Sequence, residues 1–242
     1  QMCIRDRLDP VLVRKARAEE MAEVRKHGLY EKRPLKECFE VTGKKPIGVR
    51  WVDVNKGDSV NPEYRSRLVA KEIKVNKRED LFAATPPLEA KKILFSLAVT
   101  EGVGFKRGMR KQGKKIEFID VRRAYFHSEA RRTLYIQLPN EDLEEGMCGI
   151  LRKAMYGTRA AANSWAKEYT NKLLDWGFGR GHSTLCVFYH RNRQLWVMVH
   201  FQQLSCSEIQ MTNTHLVIVT SKMSMCCNRF VDFSCFFCGC VW

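Results

Sequence analysis

The sequence predicts a mixed fold of helices and β-sheet, on three observations. Runs with strand-like patterning recur at residues 45–54, 64–71, 116–121 and 133–138, with a hairpin over 186–200. Segments with helical periodicity lie at 10–27, 88–100 and from 157 to about 176. No internal repeat, glycine-rich nucleotide fingerprint or Ser-His-Asp order imposes a different architecture.

The elements follow from local chemistry. Over 10–27, Val11, Ala18, Met21, Ala22 and Val24 can share a broad apolar face, and Gly28 ends the helix. The strand 45–54 leads through Asn55-Lys56-Gly57-Asp58, a turn sequence, into the strand 64–71. Alternation puts Arg65, Arg67 and Lys71 on one face of that second strand, as a solvated edge or as a row of cations that can reach phosphates. Residues 81–87 form a proline-rich loop. A helix over 88–100 then offers Leu88, Ile93, Leu94, Leu97 and Ala98 to a core, and Gly102 and Gly104 stop it.

Residues 116–121 are apolar on both faces, Ile116 and Phe118 on one and Ile119 and Val121 on the other, which predicts a central, covered strand. That strand carries one acid, Asp120, near its end. The plain reading has Asp120 cap a helix starting at Val121 while Tyr125 packs in the core. The sharper one is a metal-binding acid at a strand end, with an aromatic beside a nucleotide sugar. Further on, 133–138 is a strand closed by Pro139, 140–145 is an acidic solvated loop, and Trp165, Tyr169, Leu173 and Trp176 make a core stripe at helical spacing. The hairpin 186–200 turns at Arg191-Asn192-Arg193.

Composition narrows the partners. The chain has 242 residues, enough for one or two domains, and 42 Lys and Arg against 27 Asp and Glu. Its pI near 9.5 favours a polyanion, most often nucleic acid. No run reaches the roughly 18 apolar residues of a membrane span, and the charged start lacks a secretory pattern, so the expected setting is intracellular, cytoplasmic or nuclear.

The ends differ from the body. Gln1–Arg7 reads as an adapter-like scar. From residue 201 on, the only charged residues are Lys222, Arg229, Glu208 and Asp232, while six of the ten cysteines crowd positions 206–240. A frameshift or read-through intron is the expected cause. The spacing of Cys235, Cys238 and Cys240 gives half of a zinc site, with no second pair at finger-like spacing; as a cysteine-rich interaction element it would take up zinc.

Taken in order, Pro46–Val52, Tyr64–Lys71, Asp80–Pro86, Ile119–Phe126, Leu134–Pro139, Lys153–Gly157 with Trp165, and Gly177-Phe178 resemble the reverse transcriptase domain of copia-type retrotransposons, over roughly residues 12–200. The resemblance implies an α+β polymerase architecture: a palm sheet bearing acids and fingers over the incoming nucleotide, here with an incomplete palm and no thumb. It implies RNA-directed DNA polymerase chemistry by two Mg²⁺ ions, with an RNA template, a DNA primer and deoxynucleoside triphosphates as partners. Asp120 takes the place of the first catalytic, metal-binding acid. Tyr125 takes that of the steric gate against a ribose 2′-hydroxyl, and Arg67 with Lys71 those of triphosphate-binding cations. The pattern then breaks. Family members follow the second hairpin strand with two adjacent aspartates in a tight turn; here Phe201-Gln202-Gln203-Leu204 stands there, and no Asp-Asp dipeptide occurs in the chain. Ala160 replaces the commoner glutamine. The expected outcome is a fragment that does not polymerise; the alternative is a basic nucleic-acid-binding module that kept the fold and lost the chemistry.

Overall fold

The computed structural model describes residues 8–58, 60–73, 83–206 and 209–220, with the backbone alone for Gln112, Asp120, His200 and residues from 201 onward. In chain order the elements are α1 (Pro10–Lys26), β1 (Tyr30–Pro34), α2 (Leu35–Thr42), β2 (Val49–Asn55), β3 (Tyr64–Ala70), α3 (Leu88–Val99) and β4 (Lys115–Val121). They continue with β5 (Tyr135–Ile136), β6 (Met147–Leu151), α4 (Ala161–Asp175), β7 (Gly179–Arg180), β8 (Val187–His190), β9 (Leu195–Cys206) and β10 (Ile209–Thr220). The helix-and-sheet content expected from the sequence is present. The chain divides into two compact units, Gln1–Phe82 with Tyr125–Trp165, and Ala83–Ala124 with Ala166–Trp242.

In the first unit, α1 begins where Asp9 caps it, accepting from the Val11 N–H at 2.7 Å, with Pro10 at the first helical position. It ends at Gly28 (φ +58°), a backbone state that suits glycine. Its buried face is Ala16, Glu20, Met21 and Val24. Val11 is exposed, as are Ala18 and Ala22, so the apolar face lies round the helix from the one expected. α1 packs on β3, while Arg17 forks onto Asp53 of β2.

Two small sheets complete this unit. β2 and β3 form an antiparallel pair in which Val52 faces Arg67 and Trp51 faces Leu68. β1, β6 and β5 form the other, in that order. β1, α2 and β6 are absent from the sequence reading: charged residues interrupt β1, and Met147–Leu151 lacks alternation. The strand expected over 133–138 shortens to Tyr135–Ile136. The acidic stretch near 141 is largely exposed, as expected, and it also carries ion pairs. Glu141 meets Arg17, and Asp142 meets Arg25 and Lys32 while accepting from the Tyr30 hydroxyl at 2.7 Å.

In the second unit the sheet order is β4-β10-β9-β8-β7, all antiparallel. β4 is therefore an edge strand among the described residues, not a central one, and Phe118 is 66% exposed. Its apolar content still has uses: Ile116 packs with Leu94, Ala98 and Met198, and the Phe118 ring meets Phe95 at 6.2 Å. α3 buries only Leu94 and Ala98, leaving Leu88 and Ile93 exposed. From α4, Tyr169 stacks edge-on to Phe188, Leu173 is buried, and Trp176 is 37% exposed beyond the helix end. The hairpin forms around the expected turn, with Val187 opposite Met198 and His190 opposite Leu195. β9 then runs straight through 201–204 to Cys206 with no turn at that point. Residues 1–7 and the cysteine spacing at 235–240 lie outside the described residues.

Two tests follow from this packing. Gly157 has φ +81°, and a Cβ built there would sit 2.0 Å from the Ala70 carbonyl oxygen. Gly157→Ala should cost about 2–5 kcal/mol in urea unfolding, the sum of a left-handed backbone penalty and an overpacking one. The buried thiols Cys148 and Cys186 are both pushed up to about 11 by burial. A proton bound more tightly when folded contributes stability at lower pH and loses it as pH rises through the folded pKa. The unfolding midpoint should fall between pH 9 and 11 at constant ionic strength, and less so in Cys148→Ser.

Candidate functional site

The side chains that converge in the first unit centre on Tyr156. The Arg67 guanidinium carbon lies over its ring at 5.3 Å, and the Tyr125 ring packs against it at 4.9 Å between centroids, tilted by 46°. Phe126, fully buried, closes the third side at 5.8 Å. Tyr125 and Tyr156 are 5% and 6% exposed, so the aromatic pair is core-like while Arg67 is half-buried. A guanidinium over an electron-rich ring is held there by the ring quadrupole. Tyr125 thus packs as the plain reading expects.

Backbone contacts fix this arrangement. The Ala70 N–H donates to the Tyr156 carbonyl at 2.8 Å, bringing the 155–158 turn onto the end of β3. Gly157 makes that approach possible. Glu72, two residues beyond β3, closes it: Oε2 accepts from the Arg159 N–H at 2.7 Å and Oε1 binds Arg132 Nη2 at 2.5 Å. On the other side, Tyr125 sits in a short 3₁₀ turn, Ala124–His127, whose Tyr125 carbonyl accepts from the Ser128 N–H and hydroxyl at 3.0 and 2.9 Å. Arg123, at φ +48°, turns the chain into it. Asp120 therefore caps no helix; it lies inside β4, and the helical turn begins only at Ala124.

Of the four residues singled out by sequence, Arg67 and Tyr125 are brought together by Tyr156. Lys71 is not with them: its N–H donates to the Gly48 carbonyl at 2.8 Å, and the residue lines a pocket against α1 with Arg17, Arg50 and Trp51. Asp120 belongs to the second unit. The register there sets His215 of β10 opposite Asp120, and His200 of β9 opposite His215. Neither β9 nor β10 contains an aspartate or glutamate. Among the described residues no group of three or more His, Cys, Asp or Glu could hold a metal ion. Nor is any helix among them long and apolar enough to cross a membrane.

A profile of the reverse transcriptase (RNA-dependent DNA polymerase) family matches residues 40–236. The chain belongs to that family. The match spans the Tyr156 turn, Arg67, Asp120 and the whole of β9 and β10. The chain is 25% identical over 185 residues to the retrovirus-related Pol polyprotein from transposon TNT 1-94 of Nicotiana tabacum, covering 73% of this chain and 13% of that one. It is 30% identical over 151 residues to the Pol polyprotein from transposon RE1 of Arabidopsis thaliana (59% and 10%), and 27% over 194 residues to that from RE2 (76% and 12%). The reverse transcriptase domain is of the copia type. The chain spans roughly an eighth or less of the length of these relatives.

Tyr156 and Glu72 were missed by sequence reasoning. Tyr156 stands in the Lys153–Gly157 motif beside a glycine that reads as a turn, and the only signal of its role was that Gly157 needs room on one side. Glu72 carried no signal at all. Its side chain is 12% exposed and that of Arg132 25%. Glu72→Ala should cost about 1–3 kcal/mol by chemical denaturation, since it strands a largely buried guanidinium and an N–H. Glu72→Gln should recover part of that through the Arg159 N–H.

Proposed function

We propose that this chain is the nucleotide- and nucleic-acid-binding part of a copia-type RNA-directed DNA polymerase, and that as written it binds its ligands without polymerising DNA. The family match carries the first half of this reading. The second rests on the residues beside Asp120.

In this reading the β2–β3 pair and the Tyr156 cluster act as fingers, and the five-stranded sheet as palm. The Arg67 guanidinium, held over Tyr156, pairs with triphosphate oxygens of a deoxynucleotide; a rigid fork suits phosphate geometry. Tyr125, locked by its 3₁₀ turn, occupies the gate beside the sugar and disfavours a 2′-hydroxyl. The chain's excess of basic residues tracks the phosphates of an RNA template and a DNA primer, giving salt-sensitive affinity.

The reaction itself needs clustered oxygen ligands to hold two Mg²⁺ ions. The donor set does not fit that pair. Asp120 is one carboxylate, its register neighbours on β10 and β9 are histidines, and those strands carry no acid. Imidazole nitrogens suit borderline transition metals better than Mg²⁺. One acid leaves metal positioning incomplete, and each 1.4 kcal/mol of lost transition-state stabilisation costs about tenfold in rate.

Primer extension on an RNA template, with deoxynucleotides and Mg²⁺ or Mn²⁺, should give no product above background for the chain as written. Extension that disappears in Asp120→Asn would overturn this half of the proposal. Retained binding of primed template with a steep salt dependence is expected in the same preparation; its absence at low salt would contradict the binding half.

A further inference from the structure

Besides the Tyr156 cluster, the first unit holds two cysteines in one buried cluster. Cys38 lies on α2 and Cys148 on β6, and together with Tyr135 they form a core to which Leu35 and Ile150 add. Both are free thiols. Cys38 Sγ donates to the Lys44 carbonyl at 3.4 Å, just past the end of α2. Cys148 Sγ donates to the Pro34 carbonyl at 3.8 Å, just before the start of the same helix. Burial pushes the Cys148 thiol up to about 11, and the Cys38 side chain, within hydrogen-bonding reach of it, pushes in the same direction.

As packing, each thiol behaves as a small hydrophobe and a weak donor. Side by side, they also bring together the two sulfurs of a disulfide, one from the helix and one from the sheet it covers. Closed, the pair is shut off from reagents, so a way in is needed. α2 supplies it. The helix has eight residues, no side-chain cap at Pro34 and no basic residue in its last turn, and so depends on its packing. Its end rests on Gly43 at φ +64°. A helix of this kind opens locally more often than the whole unit unfolds. Opening bares Cys38 first, because Cys148 belongs to the middle strand of the β1-β6-β5 sheet.

We propose that Cys38 and Cys148 form an intramolecular disulfide when the chain meets a small-molecule disulfide, and that this bond clamps α2 to the middle strand of its sheet. In the first step the Cys38 thiolate attacks the reagent, gaining a bond to one sulfur and releasing the other half as a thiolate. In the second, the Cys148 thiolate attacks the Cys38 sulfur and expels the remaining half. The protein gives up two protons and two electrons, and the reagent leaves as two thiols that carry them. Two weak S–H donations, to Lys44 and Pro34, are lost. Closure of a long loop in the unfolded chain is gained, the circumstance in which a disulfide stabilises most.

Peptide mapping of the full chain tests this, after incubation with oxidised glutathione, alkylation in denaturant and digestion. The expected product joins the peptide of Cys38 to that of Cys148, at their summed mass less two hydrogens. The linked chain should unfold about 5–15 °C above the reduced one, a gain that is lost in Cys38→Ala. Mapping is done on the parent, so it stands even where a variant fails to fold. Gly43→Ala, which strains the left-handed cap, should speed the linkage about 5- to 30-fold by favouring the opening of α2. The proposal is overturned if Cys38 and Cys148 are recovered alkylated, each carrying glutathione, or joined to other cysteines. It is equally overturned if the linked chain unfolds no higher than the reduced one. An unchanged rate in Gly43→Ala overturns the route through α2.

Discussion

Gly157 meets the Ala70 carbonyl across a gap that no side chain can enter. Around that contact the first unit sets its chemistry. The Ala70 N–H takes the Tyr156 carbonyl, Glu72 takes the Arg159 N–H, and Tyr156 is delivered between Arg67 and Tyr125. None of these side chains is positioned by its own strand alone. A half-buried arginine and a buried tyrosine, far apart in sequence, become neighbours only because a left-handed glycine lets one turn lie on the end of β3.

The same unit separates two kinds of cation that the sequence runs together. Arg65, Arg67 and Lys71 share a parity along one strand, and the Lys71 N–H to Gly48 carbonyl bond carries its pairing with the β2 side one residue past Ala70. Arg67 stays over the aromatic cluster, whereas Lys71 joins Arg50 and Trp51 across from α1. Arg17 contributes without facing a ligand: its fork on Asp53 ties α1 to β2.

Much of this was legible beforehand. The helices, the β2–β3 pair and the 187–200 hairpin follow from apolar period and turn residues, and the copia-type family from motifs in fixed order. Strand β4 was placed as central because both its faces are apolar; among the described residues it is an edge strand, with Phe118 exposed beside the Phe95 ring. Periodicity reports burial averaged over a segment, and it does not report how many strands lie alongside. β1 was invisible because its charged run is held by ion pairs, Glu31 with Arg152, Lys32 with Glu144 and Arg33 with Glu31. Tyr156, Glu72 and the pocket at Trp51 depend on contacts far apart in sequence, which local patterns do not encode. The break after His200 was legible as lost acids, and the structure adds that β9 continues there as strand, with His215 level with Asp120.

The central claim is that a nucleotide site persists around Tyr156 without a complete catalytic centre. Calorimetric titration of the full chain with a deoxynucleoside triphosphate and its ribonucleotide counterpart, in Tyr125→Ala and the parent, tests it most directly. The account predicts saturable binding that favours the deoxynucleotide in the parent, and a preference lost in Tyr125→Ala. Equal binding of the two triphosphates by the parent, or none, would contradict it.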